Sequence, residues 1–284
     1  MATVLVTGGA GFIGTHLCQR LHTSGHHVIS LDSRQTGEYP WEVIQADIRD
    51  VLQLEGIEVI VHLAAQISVP ISIDNPDETL SVNVDGTASI ISMAEESDVK
   101  RIIFASSAAV YGDSEEIPIL ESTPLMPQSP YAVSKIVGEQ LVRQSKMESC
   151  SMRFFNVYGP NQSAEGGYAA VIPAFKKAIA SDLSPVVFGD GTQVRDFVHV
   201  SDLVRIIELA ITCKSLPTEV NIASGQSTSI LELLAIFEAK NPSMSKPLFE
   251  ASRVGDINKS IANVSLMNES FPIGKLISLE EGLF

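Results

Sequence analysis

Along the first half of the chain, short apolar runs rich in β-branched residues alternate with longer stretches whose apolar positions recur at helical spacing. The runs predict strands over 3–7, 27–31, 42–46, 59–63, 101–105 and 150–155, and the stretches between them predict helices over 12–24, 79–97 and 131–146. Strands alternating with helices imply βαβ units and a parallel sheet. The strands are almost continuously apolar, as expected when both faces of a sheet are covered. Between the second and third strands only a short loop through Gly37 and Pro40 is available, so a reduced connection is expected there. After Tyr158 the rhythm breaks: Gly159-Pro160, Gly166-Gly167, Pro173, Pro185 and Gly189-Asp190-Gly191 crowd a short interval and suggest excursions into a second, smaller lobe.

Composition narrows the picture. The 284 residues carry a net charge of −15, which argues against nucleic acid or an anionic membrane as a partner. No apolar run approaches the ~20 residues of a membrane span. The opening Met1-Ala2-Thr3-Val4-Leu5-Val6 reads as a strand rather than a secretion signal. Cys18, Cys150 and Cys213 have no metal-ligand spacing, and their scatter suits free thiols in a cytoplasmic protein.

The first strand runs into Gly8-Gly9-Ala10-Gly11-Phe12-Ile13-Gly14 and then a helix. Gly8 permits a tight turn, Gly11 lets a pyrophosphate approach the backbone, and Gly14 lets helix and strand pack closely. The helix N-terminus adds free N–H groups for phosphate. Asp32 ends the next strand, 18 residues past Gly14. A carboxylate there accepts both ribose hydroxyls and repels a 2′-phosphate, so the expected cofactor is NAD. Arg34 argues mildly for NADP or is a solvated loop residue. Asp47-Ile48 is a candidate partner for the adenine ring, and Asp47 could equally cap the turn toward Asp50. The fold class expected is α/β, a Rossmann-type doubly wound parallel sheet with a smaller C-terminal α/β substrate lobe. Its expected division is 1–159 with a returning segment 192–225 for the dinucleotide, and 160–191 with 226–284 for the substrate.

Tyr131 and Lys135 stand at i and i+4 near a helix start and share a helix face. An ammonium beside a phenol favours the phenolate and should lower its pKa toward working pH. A tyrosine tuned in this way can take and return a hydroxyl proton. Ser107 follows the strand predicted over 101–105, at the carboxyl edge where ligands of such sheets bind. Ser106 is the rival hydroxyl.

These motifs, with His62-Leu63-Ala64-Ala65-Gln66, Asn83-Val84-Asp85-Gly86-Thr87, Arg153–Pro160, Arg195–Val200 and Arg253-Val254-Gly255-Asp256, resemble the extended short-chain dehydrogenase/reductases in their nucleotide-sugar epimerase/dehydratase branch. The chain is most similar to UDP-glucose 4-epimerases. That resemblance implies a catalytic Ser107, Tyr131 and Lys135. It implies cofactor contacts at Gly8, Gly11, Phe12, Ile13, Gly14, Asp32, Asp47, Ile48, Leu63, Ala64, Ala65, Asn83, Tyr131 and Lys135. On the substrate side it implies Ser107, Asn156, Arg195, Arg253, Asp256 and Ser260. In this branch dehydratases place Asp-Glu after the catalytic serine or threonine, and decarboxylases place Glu at the second position. Here Ala108 and Ala109 stand there, which leaves epimerisation of a UDP-sugar at C4 through a transient 4-keto sugar. Ser260 stands where a tyrosine would exclude N-acetylhexosamines.

On residue types alone Arg195 could instead pair with Asp196 or Asp202, and Arg253 with Asp256. His62 and His199 lie in apolar runs without a second ligand at metal spacing, so no metal is expected. The resemblance also implies a homodimer through a four-helix interface. Two departures stand out: Val254 replaces a common proline, and relatives usually continue through another helix beyond Phe284. The alternatives are an NAD(P)-dependent 4-keto nucleotide-sugar reductase and a non-enzymatic NAD-binding sensor.

Overall fold

The computed structural model describes residues 1–34, 37–50, 54–164, 170–252 and 257–284. The chain runs through β1 (Thr3–Thr7), α1 (Phe12–Thr23), β2 (His27–Asp32), β3 (Glu42–Gln45) and β4 (Val59–His62). A broken helical run follows: α2 (Val69–Asp74), α3 (Pro76–Leu80), a π-helical turn over Ser81–Asp85, and α4 (Gly86–Glu96). Next come β5 (Arg101–Ser107), a 3-10 turn over Ala108–Tyr111, α5 (Pro130–Gln144), β6 (Glu148–Phe154) and β7 (Asn156–Tyr158). The remainder comprises α6 (Val171–Ala180), β8 (Val186–Phe188), β9 (Val194–Arg195), β10 (Phe197–His199), α7 (Val200–Thr212), β11 (Glu219–Ile222) and β12 (Thr228–Ser229). It ends with α8 (Ile230–Lys240), β13 (Leu248–Glu250), β14 (Lys259–Ser260), α9 (Ser265–Ser270) and α10 (Leu279–Leu283).

Seven strands form one parallel sheet in the order β11-β6-β5-β4-β1-β2-β3. Side chains alternate across it as the strand period dictates. Val4, Val6, Val59, Val61 and Ile103 face α1 and α7 on one side. Leu5, Ile29, Ile60, Ile102 and Phe104 face α4 and the C-terminal turn of α5 on the other. The direction of winding reverses between β1 and β4. The crevice beyond those two strand ends is where a doubly wound sheet binds its ligand.

The link between β2 and β3 is short, as expected. Trp41 belongs there to the same apolar cluster as Leu21 and Val28, stacks on Tyr39 at 4.9 Å and donates to Ser30 Oγ at 3.2 Å, filling space that a crossover helix would otherwise cover. The helix expected over 79–97 is instead α3, the π turn and α4. Nothing in its composition marks the π turn. Its consequence is positional, since it aims Asn83 inward. The strand expected over 101–105 extends to Ser107.

Outside the main sheet, β12-β9-β14, β13-β8 and β10-β7 form small sheets. Phe175 of α6, Leu233 and Phe237 of α8 and Leu283 of α10 share one apolar cluster there. Among the described residues no helix is long and apolar enough to cross a membrane.

Candidate active site

The glycine loop leaves β1 and is held to β2 by Gly8 N–H and Gly9 N–H, both donating to the Leu31 carbonyl at 2.7 and 3.3 Å. Gly8 has φ of +72°, and a Cβ there would stand 2.8 Å from the Ala64 nitrogen. A Cβ on Gly14 would sit on the Gly8 carbonyl oxygen. Both positions therefore require glycine, one for its dihedral and one for close approach. Gly11 starts α1 without a side-chain cap, which leaves first-turn N–H groups such as those of Phe12 and Ile13 without a capping side chain from it. Free N–H groups at a helix start are able to take the oxygens of a phosphate.

Asp32 closes β2 beside the loop. Its Oδ2 accepts from Ala10 N–H at 3.1 Å and its Oδ1 from Arg34 N–H at 3.0 Å. Arg34 itself is 67% exposed in its side chain and touches Asp32 only at 3.5 Å, which favours the solvated-loop reading. Across the crevice, Leu63 N–H donates to the Thr7 carbonyl at 3.1 Å and Ala64 N–H to Thr7 Oγ1 at 3.2 Å, placing Leu63, Ala64 and Ala65 as the opposite wall. Asp47 adopts the capping geometry: it accepts from Arg49 N–H at 2.9 Å and pairs with the Arg49 guanidinium at 2.7 Å, which holds its carboxyl below the usual range. Ile48 is buried against Gly86.

Asn83 is committed to protein. Its Oδ1 accepts from Gln66 N–H at 2.7 Å, and its Nδ2 donates to the Gln66 carbonyl and to Ser134 Oγ, both at 2.9 Å. It fixes the wall after β4 against α5.

Ser129 caps α5 by accepting from Ala132 N–H, and Pro130 sets its first turn. Tyr131 and Lys135 are both buried on one face of α5. Ser107, at the end of β5, is close enough to the Tyr131 hydroxyl to favour its ionised form. Ser106 points elsewhere: its hydroxyl donates to Glu139, a buried carboxylate paired with Arg153. Strand alternation separates the two hydroxyls, and Ser107 is the one facing the site. Lys135 Nζ donates to the Ala105 carbonyl at 2.8 Å and lies 5.8 Å from the Tyr131 ring centroid.

One expectation is overturned. Burial raises the Tyr131 phenol above its ordinary value, and the nearby Ser107 hydroxyl offsets that only in part. Lys135 does not reverse the balance, because its ammonium is turned to a backbone carbonyl and is itself pushed down by burial to about 8.

His62 lies under the crevice with Nδ1 on Thr7 Oγ1 at 2.7 Å and Nε2 on Thr87 Oγ1 at 2.9 Å. His199 accepts from Ser201 N–H through Nδ1 and caps α7. Both hydrogen-bonding roles are structural.

A cavity of about 230 Å³, partly open to solvent, lies outside the main sheet, among β7, α6, β8, β9 and β10. Asn156, Gln162, Phe188, Gln193, Arg195 and Phe197 line it. Arg195 Nη1 donates to the carbonyls of Val194 at 2.9 Å and Ile257 at 2.6 Å. Asp196 accepts instead from the N–H groups of Ser224, Gly225 and Ala262, and Asp202 from Arg205 and the Ile277 N–H. Ser260 is buried on β14, paired in register with Arg195. Arg253 and Asp256 lie outside the described residues.

Sequence reasoning gave no role to Glu139, Tyr111 or Gln162, and named Arg153 only as part of the Arg153–Pro160 motif. A signal for the pair of Glu139 and Arg153 existed, since an arginine inside the apolar β6 must find a partner. Among the described residues Gln162 keeps a buried Oε1 without a partner on the cavity wall, and nothing in its local sequence marks it.

Comparison with known proteins adds to this geometry. Residues 4–223 match the model of the NAD dependent epimerase/dehydratase family. A putative UDP-glucose 4-epimerase of Methanocaldococcus jannaschii is 37% identical over 295 residues, covering 99% of this chain and 95% of the relative. A UDP-N-acetylglucosamine 4-epimerase of Methanobrevibacter ruminantium, solved with UDP-N-acetylmuramic acid, superposes with a TM-score of 0.91 at 32% identity over 99% of this chain and 96% of that one. An NAD-dependent NDP-hexosamine 5,6-dehydratase of tunicamycin biosynthesis superposes equally well, with a TM-score of 0.91 at 30% identity over 100% and 95%.

Proposed function

The chain belongs to the NAD dependent epimerase/dehydratase family, and from that premise we propose that it interconverts the C4 epimers of a UDP-hexose by oxidation to a 4-keto sugar and re-reduction. One observation carries the choice within the family. Ala108 and Ala109 follow Ser107 in the 3-10 turn, and methyl groups cannot supply the additional acid and base that elimination of water needs. Ser107, Tyr131 and Lys135 suffice for proton transfer at one hydroxyl.

NAD at the glycine loop supplies a reversible hydride acceptor. Gly8, Gly11 and Gly14 admit its pyrophosphate, Asp32 takes the adenosine ribose, and the Leu63–Ala65 wall closes the other side. Tyr131 takes the proton of the sugar 4-hydroxyl and returns it, with Ser107 holding the same oxygen. Burial keeps the phenol protonated while the Lys135 ammonium faces the Ala105 carbonyl, so taking the sugar proton requires that ammonium to turn toward Tyr131. Asn156 and Arg195 meet the diphosphate, together with Arg253, while Asp256 takes the uridine ribose. Arginine suits bidentate phosphate contact, and these few cations offset the acidic field of the whole molecule.

The same reading pairs two copies through α4 and α5. Ile67, Ile71 and Ile73 expose apolar side chains beside these helices, as do Leu80 and Val133. A second copy of this chain is the expected cover for such a patch, and light scattering at working concentration should give twice the chain mass.

The deciding experiment is incubation with UDP-glucose, UDP-N-acetylglucosamine and their C4 epimers, followed by chromatography. Epimer pairs should appear without added cofactor, and denaturing extraction should release NAD near one per chain. A 4-keto nucleotide-sugar reductase would instead need reduced cofactor in stoichiometric amount.

A further inference from the structure

α5 carries a third buried polar residue on the stripe that holds Tyr131 and Lys135. Tyr131, Lys135 and Glu139 stand at i, i+4 and i+8 and reach three consecutive residues of β5. The Tyr131 hydroxyl meets Ser107, Lys135 Nζ meets the Ala105 carbonyl at 2.8 Å, and Glu139 accepts from Ser106 Oγ. From the far side Arg153 of β6 grips Glu139 in a two-pronged pair, Nε to Oε1 at 2.9 Å and Nη2 to Oε2 at 2.7 Å, with both side chains 5% exposed. Arg153 Nη1 continues to the Tyr111 hydroxyl and the Glu121 carbonyl, both at 2.9 Å, and Tyr111 donates to Asn221 Oδ1 at 2.6 Å.

A buried ion pair is weak evidence of stability, because packed hydrocarbon of similar volume often does as well. What hydrocarbon cannot do is hold a fixed negative charge one helical turn from Lys135. We propose that Glu139 is a positioning residue for the reaction. Locked by Arg153 and Ser106, its carboxylate keeps the Lys135 ammonium charged and holds the end of β5 so that Ser107 meets Tyr131.

The proposal rests on the roles given above to Lys135 and Tyr131. The surroundings of Lys135 support it. From β4 it faces His62, a neutral imidazole bonded to Thr7 and Thr87. From β5 it faces the Phe104 ring and the Ala105 carbonyl, and from its own helix Tyr131 and Glu139. Burial lowers Lys135, and Glu139 is the charge that opposes it. Glu139 in turn faces Arg153, Ser106 and, through Arg153, the Tyr111 hydroxyl, on which Glu121 also acts.

The test follows Lys135 directly. The NAD-loaded protein is labelled with 13Cε-lysine, and its Lys135 resonance, assigned by its loss in Lys135→Met, is titrated with base. In Glu139→Gln the midpoint should fall by about one pH unit or more, the scale of a lost charge at this range. In Glu139→Asp, which keeps the charge, it should stay within about half a unit of wild type. The alkaline limb of the epimerisation rate should move with the midpoint. If Glu139→Gln leaves Arg153 too poorly paired to fold, Glu139→Gln with Arg153→Met removes both charges and is titrated in the same way. A folded variant of either kind that titrates Lys135 at the wild-type midpoint overturns the proposal. Wild type that epimerises no UDP-sugar overturns the functional reading instead, and the titration still decides the role of Glu139.

Discussion

Gly138 of α5 lies against the ring of Phe104 in β5 with no room between them. A Cβ on Gly138 would overlap the ring Cζ and come within 3.0 Å of Cε1. This contact sets how closely α5 approaches the strand that ends in Ser107, and the same ring lies 5.0 Å from Lys135 Nζ. In Gly138→Ala, better helix propensity is worth up to about 1 kcal/mol. Overpacking costs about 1–3 kcal/mol, and Phe104 is 2% exposed, so its ring has nowhere to go. Overpacking should win. The melting temperature should drop, and kcat should fall on the order of 100-fold if α5 backs away by about 1 Å. Calorimetry and steady-state rates check this; an unchanged kcat would mean that the contact does not set the spacing of the site.

Tyr131→Phe removes one oxygen from a buried ring and leaves the glycine loop untouched. We expect kcat to fall by at least ~100-fold, the lower range for a lost acid–base group. NAD affinity should change little. Cofactor titration, followed by the fluorescence of Trp41, separates the two effects, because Trp41 is the chain's one tryptophan and bonds Ser30 beside the loop. Turnover near wild type would remove Tyr131 from the chemistry.

How much of this was legible in sequence depended on whether a residue's role was local. Thr3–Thr7, the glycine loop and Asp32 follow one another along the chain, so spacing and type were sufficient to place them. The choice between Ser106 and Ser107 was not local: it turns on Glu139, which lies 33 residues away and makes sense only with Arg153. Asn83 resembled a cofactor contact, yet its amide joins Gln66 to Ser134 through a π turn that no composition announces. The two- and three-residue strands of the smaller lobe are too short to show a period. Buried Asp196, which ties Ser224, Gly225 and Ala262 together, looked from the sequence like an ion-pair partner for Arg195.

His62 should make stability acid-sensitive. The Thr87 hydroxyl donates to the Asn83 carbonyl, so it accepts from His62 Nε2–H, leaving Nδ1 to accept from Thr7. A second ring proton would face a donor in a buried site, and burial pushes the imidazole down to about 3. The folded value lies below the unfolded value of about 6.5, so the unfolded state binds more protons between them. The stability contributed by neutral His62 is therefore complete above about pH 6.5 and is lost as pH falls toward 3, at up to about 1.4 kcal/mol per unit. Urea unfolding across this range should show His62→Asn to be less stable at neutral pH but flatter in acid. An equally steep acid loss in the variant would assign the sensitivity to other groups.

Asp32→Ala tests the cofactor end. The carboxylate organises Ala10 and Arg34 as well as offering oxygens to a ribose. Removing it should weaken NAD binding and narrow the preference over NADP, because the negative charge that repels a 2′-phosphate is gone. Equal affinities for both dinucleotides before and after substitution would exclude this role.

Ser260 sets the last expectation, the range of sugars accepted. It is 7% exposed on β14, beside Arg195 in the pairing of β14 with β9. That pairing places it in the small β12-β9-β14 sheet, next to a cation lining the cavity. A small side chain leaves space for an acetamido group at C2 of the sugar, and a hydroxyl can hydrogen-bond it. A tyrosine here would fill the space with a ring that close-packed neighbours cannot yield to cheaply. Wild type should therefore epimerise the UDP-N-acetylglucosamine pair as well as the UDP-glucose pair. Ser260→Tyr should keep the second activity and lose the first by at least about 10-fold in kcat/KM, the lower end for steric discrimination at one position. The measurement is kcat/KM for both pairs in both proteins, with melting temperature as the control for folding. A wild type that ignores the N-acetylated pair, or a tyrosine variant that handles it as well as wild type does, would place the C2 pocket elsewhere.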